Sequence, residues 1–165
     1  MTWRNDPATL AMFYHRTPKL WESFWPEYLS QYLSEETFNP LFALENGRRV
    51  AFLRFGRVTH PLGLPALTVD ISINIAPDSR GKGLGRRVLA ACLEHLRRKG
   101  VAHVYAEILV NNVASIRAFS GAGFRTLGIK DKLIADTGET HRVEMFLADT
   151  GLDRSAPHRS DILAP

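Results

Sequence analysis

A single cysteine, Cys92, in 165 residues rules out an intrachain disulfide and suits a reducing compartment. No apolar run approaches the roughly 18 residues that a membrane-crossing helix needs. The N-terminus has neither the charged start nor the apolar stretch of an export signal. A cytoplasmic protein without a membrane partner is therefore expected. No basic run is interleaved with stacking aromatics, which argues against a nucleic-acid partner. Internal repeats and low-complexity segments are also missing, so neither a solenoid nor a long linker is expected.

What remains is ordinary for a soluble globular chain. Hydrophobic residues make up 45% and charged residues 23%, and the length suits one domain with a sizeable core. The net charge of +4 favours an anionic ligand.

The stretch that organises the chain is Arg80-Gly81-Lys82-Gly83-Leu84-Gly85, followed by Arg86 and Arg87. It follows a strand-like run, Thr68 to Ile75, and opens a helix-like run, Leu84 to Lys99. Its alternating glycines let successive N–H groups converge on one spot. The helix N-terminus behind them adds partial positive charge, and Arg80, Lys82, Arg86 and Arg87 add full charges. The loop is built to cradle a phosphate, most naturally a pyrophosphate. The spacing is neither that of a Walker A loop nor the G-x-G-x-x-G of a dinucleotide fold. No Ser or Thr follows the lysine to hold magnesium, and no metal is expected.

In chain order, Asn5 or Asp6 can cap a first helix over Ala8–Tyr14, with Pro7 in its first turn. A second helix is expected from Pro18 to about Ser34, kinked or split by Pro26. Its aromatics, Trp21, Phe24, Trp25, Tyr28 and Tyr32, read as core, with an aromatic-lined acceptor pocket as the sharper alternative. Strands Leu41–Glu45 and Arg48–Arg57 flank the hairpin turn Asn46-Gly47. In Ala66–Ile75, Val69, Ile71, Ile73 and Ile75 alternate with Asp70, Ser72 and Asn74, so one face is apolar and the other polar.

After the loop, Leu84, Val88, Cys92 and Leu96 form an apolar stripe, which makes Cys92 a packing residue rather than a nucleophile. Val101–Val110 is apolar on both faces except for Glu107 and reads as a central strand of a covered sheet. Asn112 can cap a short helix, Ala114–Ser120, ended by Gly121 and Gly123. Strands Phe124–Leu133 and Thr140–Leu147 follow, joined through Ala135-Asp136-Thr137-Gly138. Residues 149–165 read as a mobile tail after a domain spanning 1–148.

The basic residue-Gly-x-Gly-x-Gly order resembles the acetyl-CoA pyrophosphate loop of the GNAT family of N-acetyltransferases. Asn112-Val113-Ala114-Ser115-Ile116-Arg117-Ala118-Phe119, then Gly123-Phe124, is similar to the family's second cofactor motif. The order of helices and strands also looks like the family's. The resemblance implies an α/β (α+β) fold with a mixed, mostly antiparallel sheet, splayed central strands and flanking helices. It implies an acetyl-CoA-dependent transfer to a primary amine. The strands ending at Ile75 and Val110 would part around the cofactor, with its pantetheine arm against the backbone of Ile73, Asn74 and Ile75. A backbone N–H there would serve as an oxyanion hole. The phosphates would lie on Arg80, Gly81, Lys82, Gly83, Leu84, Gly85 and Arg86, and Asn112, Ser115 and Phe119 would line the pantetheine end. For Asn112 a plain N-cap is an equal alternative.

An attacking amine must be neutral, so a base is needed. Glu107 is the first candidate, because a carboxylate in an apolar strand is costly unless it reaches a cleft or a partner. A structural ion pair is its alternative reading. Asp70 is the second candidate. His15 and His60 are loop-adjacent and read rather as surface histidines. The family usually carries a Tyr as proton donor to the leaving thiolate where this chain has Phe119, so Ser115 or water would take that role. Only Met1 and Thr2 precede Trp3, so the strand that precedes the first helix in the family is either missing or lies before a start set too late.

The opening Trp3-Arg4-Asn5-Asp6-Pro7 and the phrase Glu107-Ile108-Leu109-Val110-Asn111-Asn112 resemble one subgroup in particular. It acetylates the 4-amino group of UDP-linked amino sugars on the way to nonulosonic acids such as pseudaminic acid. A nucleotide-sugar acceptor is thus expected. A protein N-terminal acetyltransferase of the ribosomal-protein type is the alternative enzyme, and a non-catalytic acyl-CoA-binding module the alternative of another class. Exposed edges at the last hairpin make a homodimer plausible.

Overall fold

The computed structural model describes residues 1–33, 38–135 and 137–152. Strands β1 (Leu41–Glu45) and β2 (Arg48–Val58) form the expected hairpin, with Asn46 and Gly47 both left-handed at φ 50° and 76°. Strand β3 (Thr68–Ile75) runs antiparallel to β2 along its whole length, from Val58 opposite Thr68 to Ala51 opposite Ile75. Strands β4 (His103–Leu109), β5 (Arg125–Leu133) and β6 (Thr140–Asp149) complete a six-stranded sheet in the order β1-β2-β3-β4-β6-β5. Every neighbouring pair is antiparallel except β3 and β4. These run parallel and pair only at Thr68–His103, Val69–Val104 and Asp70–Tyr105. Beyond those residues β3 stays with β2 and β4 with β6, so the centre of the sheet splays open. The mixed, mostly antiparallel α/β fold expected from the sequence is the one observed.

One sheet face is covered by α3 (Leu84–Arg98) and α4 (Val113–Gly121). Leu84, Val88, Leu89, Cys92 and Leu96 lie on the buried stripe of α3. They join Val69, Ile71, Val104, Ala106 and Phe146 in one core. A Cβ on Gly85 would stand 3.2 Å from the Ala118 Cβ, so this glycine is what lets α3 and α4 approach closely. Cys92 is buried, and burial pushes its thiol up to about 12, which leaves it protonated and inert.

The N-terminal region departs most from expectation. Helix α1 is a single turn, Pro7–Leu10, capped by Asp6, whose side chain accepts from the Thr9 N–H at 3.0 Å. The helix expected to reach Tyr14 stops there because Phe13, Tyr14 and His15 turn over the sheet and line a cavity. Helix α2 (Trp21–Glu27) starts three residues late and passes into a π-turn, Tyr28–Tyr32, two residues after Pro26. Pro26 has no N–H to give to the turn before it, and the ladder resets just beyond it. The expected end at Ser34 lies outside the described residues.

The aromatics of α2 are not core. No residue of the helix is buried, and Trp21 and Trp25 are 52% and 41% exposed. They form a surface stack, Trp21 on Trp25 at 5.0 Å and Trp25 on Tyr28 at 5.7 Å. Among the described residues no strand precedes α1. The stretch assigned to a tail begins instead with the last residue of β6. Thr150 is tied in as well, its Oγ1 donating to the Val101 carbonyl at 2.7 Å and its N–H to the Ala102 carbonyl at 3.0 Å. Residues 153–165 lie outside the described residues. Among the described residues no helix is long and apolar enough to cross a membrane.

Leu89 is fully buried where α3 meets the sheet. Leu89→Ala is expected to lower the unfolding free energy by about 3 kcal/mol, read from urea denaturation.

Candidate active site

The splay creates the site. Alternate N–H and C=O groups of a strand point to each neighbour, so β3 beyond Asp70 and β4 beyond Tyr105 have backbone groups without a strand partner between them. A cavity of about 520 Å³ opens along this gap. Ile71, Ser72, Ile73 and Asn74 form one wall and Ala106, Glu107, Ile108 and Leu109 the other. Asn112, Ser115 and Phe119 close one end, while Arg4, Met12–His15, Lys19, Phe24 and Glu27 roof it. Such a slot fits an extended, amide-containing chain that can supply the missing hydrogen bonds.

At the mouth of the gap lies the glycine-rich loop. A 3-10 turn, Pro77–Ser79, ends β3 and leads into it. Gly81 and Gly83 are left-handed at φ 75° and 70°, and Gly83 occupies the N-cap of α3. The first-turn N–H groups of α3 have no intrahelical acceptor and converge there with the helix dipole, as an anion cradle requires. Lys82 and Arg86 are exposed beside it. Arg87 bonds Glu45 at 2.9 Å and Arg48 bonds Asp78 at 2.8 Å, so the β1–β2 hairpin is strapped to the loop.

Arg80, expected at the phosphates, has protein partners as well. Its guanidinium turns inward, donating from Nη1 to Asp6 Oδ2 at 2.7 Å, from Nη2 to Thr9 Oγ1 at 2.6 Å and from Nε to the Ile75 carbonyl at 3.2 Å. Through these bonds Arg80 latches the N-terminal roof to the loop. The Arg80 hydrogen bond is also the main reason the Asp6 carboxyl is held below its ordinary value.

Asn112 caps α4, its Oδ1 accepting from the Ser115 N–H at 3.1 Å, and it also lines the cavity. Phe119 is only 2% exposed and packs edge-on against Phe124 at 4.8 Å. It borders the cavity as a wall and has no proton to give. Ser115 lines the same end.

Deeper in, a charged cluster occupies the polar sheet face. Glu107 accepts from the Tyr105 hydroxyl at 2.9 Å, from Lys130 Nζ at 2.7 Å and from Lys132 Nζ at 2.5 Å. Burial pushes its carboxyl up, but Lys130, Lys132 and Tyr105 outweigh burial and leave it below its ordinary value. The ion-pair alternative for Glu107 is thus realised, and a carboxylate so held is a weak proton acceptor. Asp70 lies across the cavity, bonded to Arg54 Nη2 at 3.1 Å. Burial raises its pKa, partly offset by Arg54 and reinforced by Glu107. Its Oδ1 approaches the backbone so closely that a Cβ on Gly56 would stand 2.5 Å away.

His15 lines the cavity, whereas His60 is not a surface residue. It is 3% exposed and packs edge-on against His103 at 4.5 Å. Tyr14, Tyr105, Arg54, Lys130 and Lys132 carry much of the site and are not evident as a set from local pattern. The available signals were the shared strand face of Tyr105 with Glu107 and the i, i+2 spacing of the two lysines. Among the described residues no group of His, Cys, Asp or Glu could hold a metal.

The profile of the acetyltransferase (GNAT) family matches residues 6–124. The streptothricin acetyltransferase of Streptomyces lavendulae is 27% identical over 94 residues, covering 57% of this chain and 49% of that protein. The ribosomal protein bS18-alanine N-acetyltransferase of Escherichia coli is 29% identical over 86 residues, covering 52% and 54%. The chain thus spans about half the length of these curated relatives. Among solved structures, yncA of Salmonella typhimurium, determined with its cofactor acetyl-CoA, superposes with a TM-score of 0.68 at 24% identity, over 95% of this chain and 90% of that one.

The depressed Glu107 carboxyl makes a signed prediction. Its stabilising contribution is complete above its ordinary value of 4.5 and fades as pH falls through its lower folded-state value. Glu107→Gln is expected to cost about 1–2 kcal/mol at pH 7, less than a fully buried pair because both lysines are partly exposed. The gap between variant and wild type should close in urea titrations carried progressively below pH 4.5.

Proposed function

The chain belongs to the GNAT family of acetyltransferases, and from that premise we propose that it acetylates the primary amine of a small, negatively charged acceptor, with Asp70 as base. The observation that carries this reading is the single cleft that runs from the strand gap to Asp70. Acetyl-CoA supplies an activated acetyl group as a thioester. The glycine-rich loop and the α3 N-terminus hold its pyrophosphate, and the open edges of β3 and β4 align its pantetheine arm. A backbone N–H near Ile73–Ile75 donates to the carbonyl oxygen as that oxygen gains charge, which lowers the barrier to addition.

Asp70 accepts the ammonium proton and leaves a neutral amine to attack the acetyl carbon. Its raised pKa brings it nearer working pH than Glu107, and a base so poised transfers protons more effectively. Glu107 keeps Lys130, Lys132 and Tyr105 in place. Collapse of the tetrahedral adduct expels the thiolate. Phe119 gives it no proton; the Ser115 hydroxyl or water at that end of the cavity does, regaining one from the adduct's remaining N–H, so that the products are the amide and the free thiol.

A UDP-linked 4-amino sugar is the acceptor favoured by the sequence resemblance. The support in the fold is a small excess of cations along the cleft, where Arg4, Lys19, Arg54 and Lys132 face Glu27, Asp70 and Glu107, and the exposed Trp21–Trp25–Tyr28 stack on the roof helix, which offers a face to uracil or sugar. Acetylation of a protein N-terminus is the second reading, favoured by the similarity to the bS18 enzyme. A homodimer through the outer edge of β5 is part of the proposal, supported by Ile129 and Leu133, which are 51% and 66% exposed there. Sedimentation giving a monomer at tens of micromolar would sink it.

Thiol release from acetyl-CoA tests the reaction, with a UDP-4-amino-4,6-dideoxy sugar and free-N-terminus peptides as parallel acceptors. Release with the sugar and not the peptides is expected. Release with peptides alone would move the protein to the second reading. Tight acetyl-CoA binding without release would make it a binding module. Asp70→Asn should lower kcat by about 10²–10⁴-fold. Gly56→Ala, which displaces the Asp70 carboxyl from a distance, should lower kcat while leaving acetyl-CoA binding unchanged.

A further inference from the structure

One group in the cleft has no part in the chemistry above. Tyr14 enters the cavity from the segment after α1, and its hydroxyl is buried without a hydrogen-bond partner among the described residues. An unsatisfied buried hydroxyl costs about 1–3 kcal/mol, so a donor left in that state fits a site whose acceptor arrives with a ligand. Burial, reinforced by the charge of Glu107, raises the Tyr14 pKa and keeps the phenol protonated as a donor. Tyr105, by contrast, already donates to Glu107.

The surroundings of Tyr14 select the sign of that ligand. Lys132 Nζ lies 4.8 Å from the centre of its ring, and the His141 ring lies 5.8 Å away. Lys132 and Lys130 share the one carboxylate of Glu107, so this cluster has two ammonium groups for one negative charge. A cationic group would be repelled there, and a neutral one would leave the excess charge unmatched. An oxyanion can accept from the Tyr14 hydroxyl and from Lys132 together, and charge-assisted bonds of this kind are the strong ones. Lys132 and Glu107 both act electrostatically on Asp70, so the excess positive charge lies within reach of the proposed base.

We propose that Tyr14 and Lys132 form an oxyanion subsite that holds a carboxylate or phosphate of the acceptor while its amine faces Asp70. The proposal rests on the acetyl-transfer reading and narrows it. Acceptors would be recognised as amine and anion together, which excludes polycationic amines lacking an acidic group. The anion could be the carboxylate of an α-amino acid or the diphosphate of a nucleotide sugar, and two matched pairs of ligands separate these sources.

The experiment measures binding by calorimetry to the full chain loaded with CoA, so that no transfer is required. One pair is a panel of α-amino acids as free acids against the same residues as carboxamides. The other is a UDP-4-amino-4,6-dideoxy sugar against the same amino sugar without UDP. The charged member of at least one pair is expected to bind at least tenfold more tightly, and that pair names the source. Tyr14→Phe, which removes only the hydroxyl, should erase about tenfold of this preference while leaving the uncharged member and CoA affinity unchanged. Equal binding within both pairs, no binding by any of the four, or an unchanged preference in Tyr14→Phe would overturn the proposal. A charge preference that Tyr14→Phe abolishes, without thiol release from acetyl-CoA, would leave the subsite standing and sink the transfer reading.

Discussion

Parallel strands in the middle of a covered sheet normally stay paired, because each unpaired N–H or carbonyl taken from water costs more than a hydrogen bond returns. In this protein β3 and β4 pair for three residues and then part, each held by its other neighbour. The remaining features of the site follow from this break. The gap supplies the backbone donors, its mouth leads to the glycine-rich loop, and its floor exposes Asp70 and Glu107. A sheet that closed fully would be more stable and would have no site.

The two faces of the sheet divide the work. On one face Val69, Ile71, Val104 and Ala106 share a core with the buried stripe of α3. On the other, Arg54, Asp70, Tyr105, Glu107, Lys130 and Lys132 form a paired and partly solvated network. Period-2 alternation makes both from the same strands. Two carboxylates a strand apart acquire opposite character from their surroundings, since three donors crowd Glu107 while burial dominates at Asp70. Arg80 then joins the halves of the site by fastening the roof to the phosphate loop. A residue of the cofactor motif thus helps shape the acceptor side.

Much of this was legible in one dimension, wherever the governing interaction is local. Asn46-Gly47, the alternation of Val69 to Ile75, the stripe of α3 and the caps Asp6 and Asn112 all depend on neighbours within a few residues, and each is found as expected. Expectations failed where distant contacts decide. The α2 aromatics read as core by composition, yet the helix lies over the cleft with Trp21 and Trp25 facing solvent. The bond from Arg80 to Asp6, 74 residues away, likewise has no signal in the local pattern.

Sequence alone therefore determined the strands, the two helices after the glycine-rich loop and the family. Its alternations, glycines and caps act through backbone sterics and short-range hydrogen bonds. Tertiary structure decided which carboxylate is held below its ordinary value and which is raised above it, which arginine fastens the roof to the loop and which phenol is left without a partner among the described residues. Those properties depend on burial and on charges brought together from β2, β4 and β5 and from the segment around Tyr14, and no window of sequence contains them.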